Sequence, residues 1–305
     1  MINIVSLVNS IVQDGIREHS RLDLIIKRFR QNRMGMIGLG MTMIFLFLVI
    51  ISPIIISKDP HAMETSIRLQ PPSLEHPFGT DRYGRDVFSR VMLGARLSLY
   101  VASVVVAISS SIGVTAGLIA GFYGGKVDEI IMRIADVMFA FPGILLALVV
   151  VSILGPGLNK AVLALSIAWI PTMTRITRGS AMSVRQEEYV MAAISYGESD
   201  VVVMFREVLP NLISAVLVQG TITFAFAILA EAGLSYLGLS ARPPTATWGV
   251  MISEGQSVLE IAPWVAVFPG LAIMLTVLGL TFLGVGLRDA LDPKTELDVS
   301  KLGGK

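Results

Sequence analysis

The side chains that could do chemistry are few and widely spaced. Three histidines, His19, His61 and His76, are too scattered to suggest a metal cluster, and the 305 residues contain no cysteine. That removes disulfides, thiolate catalysis and Cys-ligated metal from consideration. No Gly-rich loop runs into Gly-Lys-Ser/Thr, so the chain is not expected to hold a nucleotide phosphate itself. Two carboxylates, Glu231 and Asp136, stand in or beside apolar runs. An ionisable group in hydrocarbon costs at least about 2.5 kcal/mol unless paired or wet. Each is therefore a candidate for a solute path, with a structural hydrogen-bonding role preferred for Glu231. Asp136 falls at helical spacing with Asp128, Glu129 and Arg133, where i,i+4 pairing is the simpler expectation.

The elements that must carry these groups are membrane helices. Hydrophobic residues make up 53% of the chain and charged residues only 15%, against about 25% charged in soluble domains, and the mean hydropathy is +0.72. A net charge of +1 makes no case for nucleic acid as a partner. About 20 apolar residues are needed to cross the hydrocarbon. Uncharged stretches at 34–57, 97–125, 137–159 and 261–287 qualify, 208–230 is a fifth entered through Pro210, and 161–174 is a shorter sixth. The expected fold is all-α, a polytopic bundle of six spans in one domain over 34–293. An N-terminal segment, 1–33, precedes it and a tail, 294–305, follows.

Lys27, Arg28, Arg30 and Arg33 place the N-terminus in the cytoplasm by the positive-inside rule, and an even span count returns the C-terminus there. The outer loop 58–96 runs against the rule with Arg82, Arg85, Arg90 and Arg96, offset in part by Asp81 and Asp86. Ile4, Leu7, Val8 and Ile11 sit at helical spacing, which suits an amphipathic surface helix, with a disordered tail the equal alternative, rather than a secretory signal. Pro243-Pro244 followed by Trp248 suggests a re-entrant or interfacial loop with an aromatic anchor.

Two patterns remain. Gly113, Gly117 and Gly121 form a stripe along which a neighbouring backbone can approach, with packing preferred over pore lining. Residues 186–211, QEEYVMAAISYGESDVVVMFREVLPN, are too polar to span. Tyr189, Ala192, Ala193 and Tyr196 share a helical face, and Gly197 suits a left-handed stop. Ser199 or Asp200 is placed to cap a second helix that Pro210 limits or kinks. Two short helices at a sharp angle are expected, suited equally to docking on a soluble partner or to serving as an ordinary amphipathic connector.

The run Glu188-Tyr-Val-Met-Ala-Ala, then Gly197, then Leu209-Pro210 resembles the coupling loop of ABC importer permeases. Phe78-Gly-Thr-Asp81, Gly84-Arg-Asp-Val-Phe-Ser-Arg90, Phe139-Ala-Phe-Pro142, Trp248-Gly249 and Gly286-Leu-Arg-Asp-Ala-Leu-Asp-Pro293 extend the resemblance to the dipeptide/oligopeptide and nickel permease family. It covers about residues 33–293.

The resemblance implies a bacterial or archaeal inner-membrane permease that pairs with a homologous permease and two ATP-binding subunits. An extracytoplasmic solute-binding protein would deliver peptides. ATP and Mg would be held by the ATPases, which the loop 186–211 would contact through Glu188, Tyr189, Ala192, Ala193, Gly197, Leu209 and Pro210. Two positions depart from the family pattern: Met191 stands where Glu commonly precedes the paired alanines, and Val285 where the last span often carries Asp. Glutathione and nickel are alternative solutes. A self-sufficient secondary transporter would call for interrupted helices at the midplane, which the sequence does not make evident.

Overall fold

The computed structural model describes residues 23–56 and 58–291. The expected surface helix around residues 4–11 and the tail 294–305 lie outside the described residues. Among those described, the structure is helical apart from its loops and one isolated bridge, Thr80 to Asp86.

Helical residues 23–31 lead into α1, Arg33–Ile55, where the Asn32 side chain accepts the Gly35 N–H at 2.8 Å and caps the helix. After the outer loop come α2, Val87–Tyr123, α3, Gly125–Phe139, and α4, Gly143–Leu154. Next are α5, Leu158–Arg185, and the short α6, Glu188–Ser195. A three-residue turn, Asp200–Val202, and a π-helical turn, Val203–Val208, run straight into α7, Leu209–Tyr236. The last two helices among the described residues are α8, Trp248–Gln256, and α9, Trp264–Leu291.

Among the described residues, four helices are long and apolar enough to cross a membrane: α1, α2, the run Asp200–Tyr236 and α9. The pair α3 and α4 adds a fifth only as a broken span, bent by 85°. The uninterrupted helix expected over 137–159 is therefore corrected. Pro142 explains the break, since proline disfavours helical backbone in the residue before it and cannot donate to the ladder. The chain restarts with Pro142 in the N-cap position at ψ 131°.

The short sixth stretch, 161–174, belongs to a helix of 28 residues whose second half carries Arg175, Arg178 and Arg185. Pro210 neither limits nor kinks a separate helix. The ladder widens ahead of it, with the Leu209 N–H bonding the Met204 carbonyl five residues back, which relieves the crowding a proline ring imposes four residues upstream.

Small residues set the closest approaches. A Cβ on Gly117 would stand 2.4 Å from the Thr174 carbonyl oxygen, and one on Gly121 would stand 2.7 Å from the Ala181 Cβ. The glycine stripe is thus the contact along which α2 and α5 lie parallel. Between α1 and α9 the same device recurs, with Gly38 against Leu283 and Gly35 against Gly286.

The larger core runs through Val101, Val105, Leu165, Ile228, Leu234 and Trp248. A smaller one at the opposite end joins Leu118, Phe122, Ala181, Val190, Val203, Met204, Val208 and Leu212. Trp248 is not the interfacial anchor expected of it. Gly94 leaves room for its indole, whose Nε1 donates to the Val91 carbonyl at 2.9 Å in a buried setting.

Candidate functional site

At the end holding the smaller core, α6 is stopped by a Schellman turn. The Glu198 N–H bonds the Ala193 carbonyl at 3.3 Å and the Gly197 N–H bonds the Ile194 carbonyl at 3.0 Å, with Gly197 at φ +80°. An L side chain at Gly197 would cost about 1–2 kcal/mol. Ser199 occupies the N-cap position of the turn Asp200–Val202, but its side chain makes no capping bond.

Val190 is the fully buried residue of α6, and Ala193, one turn on, packs behind it against the same core. Of the two alanines on the predicted face, Ala193 is therefore turned inward and Ala192 outward. The core beneath Val190 is made from α2, α5, the π turn and α7 together. A push on α6 thus reaches three long helices at once.

The outward side of α6 and the following turn is apolar. Met191 and Tyr196 are 57% and 89% exposed, and Ile194, Val201 and Phe205 are exposed beside them. Exposed Glu187, Glu188, Glu198 and Asp200 ring this patch. A contiguous apolar surface with a charged rim has the composition of a protein-docking site. Of the remaining residues singled out by the loop's pattern, Tyr189 is exposed on α6, while at the start of α7 Leu209 is partly buried and Pro210 exposed.

The opposite end carries a charge cluster that the sequence does not announce. Asp81, Arg85 and Arg90 are buried, and Glu254 of α8 is 9% exposed. Arg85 Nε donates to Asp81 at 2.6 Å and its Nη2 to Glu254 Oε2 at 2.9 Å, while Arg90 Nη2 donates to the same oxygen at 3.0 Å. Nearby, His76 is buried between Asp86 at 2.9 Å and Lys58 at 3.2 Å, and Asp86 caps α2 through the Ser89 N–H at 2.8 Å. These bonds fasten loop 58–86 to the start of α2 and to the last turn of α8. Only the run of charges Asp81 to Arg90 hinted at the cluster; Glu254 lies 169 residues from Arg85.

The two carboxylates proposed for a solute path part company. Glu231 is 1% exposed and accepts from Ser235 Oγ at 2.5 Å and Ser240 Oγ at 3.0 Å. Its geometry ties α7 to the loop after it. Asp136 sits at the surface of α3 and accepts from Arg175 Nη2 at 2.6 Å. Asp128 likewise pairs with Arg178 of α5. Only Arg133 and Glu129 make the i,i+4 bridge expected within α3, at 3.0 Å. The other two acids reach across to α5, whose arginines the sequence pattern gave no reason to associate with them.

A bundle of long apolar helices with a loop helix keyed into their ends defines a polytopic membrane permease. Residues 113–297 match the family described as the binding-protein-dependent transport system inner membrane component, and residues 20–72 match the N-terminal transmembrane domain of oligopeptide transport permease C. The chain belongs to this binding-protein-dependent family of ABC importer permeases.

It is 44% identical over 268 residues to the dipeptide transport system permease protein DppC of Alkalihalophilus pseudofirmus, covering 88% of each chain. It is 40% identical over 275 residues to a putative peptide transport system permease protein of Brucella abortus, covering 90% of this chain and 93% of the relative. To the glutathione transport system permease protein GsiD of Escherichia coli it is 44% identical over 269 residues, covering 88% and 89%. Membership makes the chain an inner-membrane component that works with ATP-hydrolysing and solute-binding proteins.

Proposed function

We propose that this permease pairs with a homologous permease to form the path for short peptides, glutathione among them, and that α6 is the helix through which two separate ATPase subunits drive it. The observation that carries the reading is the seating of α6. Val190 is buried in a core shared by α2, α5 and α7, while Met191, Ile194 and Tyr196 face outward within an acidic rim. An ATPase groove lined with apolar side chains and edged by basic ones would fit it. Closure of the ATPases on bound ATP and Mg moves α6, and the shared core passes that movement to the spans, giving alternating access.

Six crossings with both termini cytoplasmic agree with how the helix ends associate. α6 and the end of α2 meet at one end of the bundle. The loops bearing Gly157 and Leu239 meet at the other, as do those bearing Thr80 and Trp264. In this arrangement α5 and the broken pair α3–α4 both cross. Arg85 and Arg90, which count against the orientation by sequence, are neutralised inside the outer cluster. The peptide assignment comes from relatives named for dipeptides, peptides and glutathione.

The test is uptake and ATP hydrolysis by the assembled complex. Gly197→Pro, which cannot take φ +80°, and Ala193→Arg, which drives a charge under α6, are expected to insert in the membrane yet hydrolyse ATP without uptake. Normal uptake by both variants would remove α6 from the coupling role.

A further inference from the structure

The break between α3 and α4 lies deep in the bundle. Trp169 of α5 and Phe226 of α7, which stand against it, are each roughly 15 Å along their helices from the outer ends at Leu158 and Tyr236, taking about 1.5 Å per residue. That is half of a hydrocarbon core of about 30 Å. Residues 140–142, which form the non-helical corner, are exposed in this chain. Non-helical backbone at that depth is tolerated where it is covered by protein or faces a water-filled cavity, and not against lipid.

A cavity of about 390 Å³ opens at this corner, lined chiefly by Phe139, Phe141, Leu165, Trp169, Phe226 and Leu229. Its size falls at the lower end of the range for small-molecule sites. The rings of Trp169 and Phe226 lie 5.9 Å apart, and Phe139, Phe141 and Phe226 are 40%, 54% and 47% exposed. Beside it, on the α3 side, runs an open groove carrying Asp128, Glu129, Arg133, Asp136 and Arg178. Arg175 links the two, with its guanidinium 4.1 Å from the Phe139 ring centre while it binds Asp136. A face bearing that many charges is wet, so the aromatic cavity opens beside an aqueous route.

We propose that this cavity is a subsite for an apolar side chain of the transported peptide, with Trp169, Phe226 and Leu229 setting the size it accepts. The proposal rests on the reading of this chain as a peptide permease. A mixed wall of aromatic and aliphatic groups takes many apolar side chains with little discrimination by shape, and one methylene in such a pocket changes selectivity by only about 10- to 200-fold. The subsite therefore acts as a broad size filter behind the solute-binding protein.

The test uses the complete complex, with its permease partner, ATPases and binding protein, reconstituted in liposomes. Uptake of Ala-Ala and of Phe-Ala is measured from the same mixture. Ala168→Phe fills the cavity from a half-buried position, and Leu229→Ala enlarges it from an exposed one. The ratio of Phe-Ala to Ala-Ala uptake should fall about tenfold in the first variant and rise in the second. An unchanged ratio in both would overturn the subsite, as would equal loss of the two peptides with the partner permease no longer co-purifying, which would make the cavity a seat for that partner. If the unmodified complex takes up neither peptide, the peptide reading itself fails, an outcome separable from the others.

Discussion

The two ends of the bundle solve opposite problems. At the end bearing α8, charged groups are buried and find their partners within the chain: Glu254 Oε2 receives both Arg85 and Arg90, and Asp81 holds the other side of Arg85. At the end bearing α6, apolar side chains such as Met191 and Tyr196 are left uncovered. The first arrangement is closed, and removing any member strands a charge. The second is open, and its outer residues contribute little to the fold of the isolated chain. Internal pairing is thus concentrated at one end and apolar surface at the other, the arrangement that the proposed drive through α6 calls for: one end held and the other pushed.

Breaking the closed end should give the largest effect. Glu254→Ala leaves two buried guanidinium groups without their shared acceptor, and removing one partner of a buried pair costs about 3–5 kcal/mol. The expected outcome is a large drop in the thermal midpoint of the detergent-purified complex and in its yield. Because both arginines use one oxygen of Glu254, Glu254→Gln keeps an acceptor and should lose less. Equal losses would mean that charge, and not the hydrogen bond, holds loop 58–86 to α8.

Next in size is the glycine seam between α2 and α5. Gly117→Ala puts a Cβ 2.4 Å from the Thr174 carbonyl oxygen, and overpacking of this kind costs about 1–3 kcal/mol. A shift of α5 against α2 should follow, lowering both the thermal midpoint and uptake. Gly40→Ala, where nothing lies near the added atom, is the control expected to leave the midpoint unchanged. If the two variants behave alike, close approach at Gly117 is not what holds the pair.

These contrasts also mark what could be read beforehand. The α6 helix and its stop at Gly197 are legible because polarity and a single glycine are local signals, and the packing role of Gly113, Gly117 and Gly121 is legible because their spacing matches the helix repeat. The kink at the α3–α4 junction has a local cause too, in Pro142, but the surrounding run is so apolar that periodicity reads it as one span. In the polar half of α5, Arg175 and Arg178 meet Asp136 and Asp128 across 39 and 50 residues. Pairings at that separation have no sequence signal. The closure of Glu254 on Arg85 and Arg90 is of the same kind, as is the burial of Trp248 under Gly94.

A smaller effect is expected in the core beneath the open end. Val190→Ala removes two methyl-sized groups from the core under α6, worth about 1.5 kcal/mol at about 0.8 kcal/mol each. Because that core spans α2, α5 and α7, the loss should appear more strongly as weakened coupling than as reduced thermal stability. The measure is the ratio of peptide transported to ATP hydrolysed. A fall in stability with the ratio intact would show that Val190 only supports the fold.

The smallest effect tests the departure at Met191. Its side chain is 57% exposed on the open end, at the position where the pattern this loop resembles commonly has Glu. Met191→Glu would add a carboxylate facing the ATPase, and an exposed pair of that kind contributes about 0–1 kcal/mol and is screened by salt. Glu187 and Glu188 stand four and three residues before it on the same helix, and like charges at those spacings oppose each other by about 0.2–0.5 kcal/mol. The net tightening of ATPase binding should therefore be slight at low ionic strength and absent in 0.5 M salt. Weaker binding at low salt would mean that the acids already on α6 saturate the partner's basic groups, so that the uncharged methionine relieves repulsion and substitutes for no missing contact.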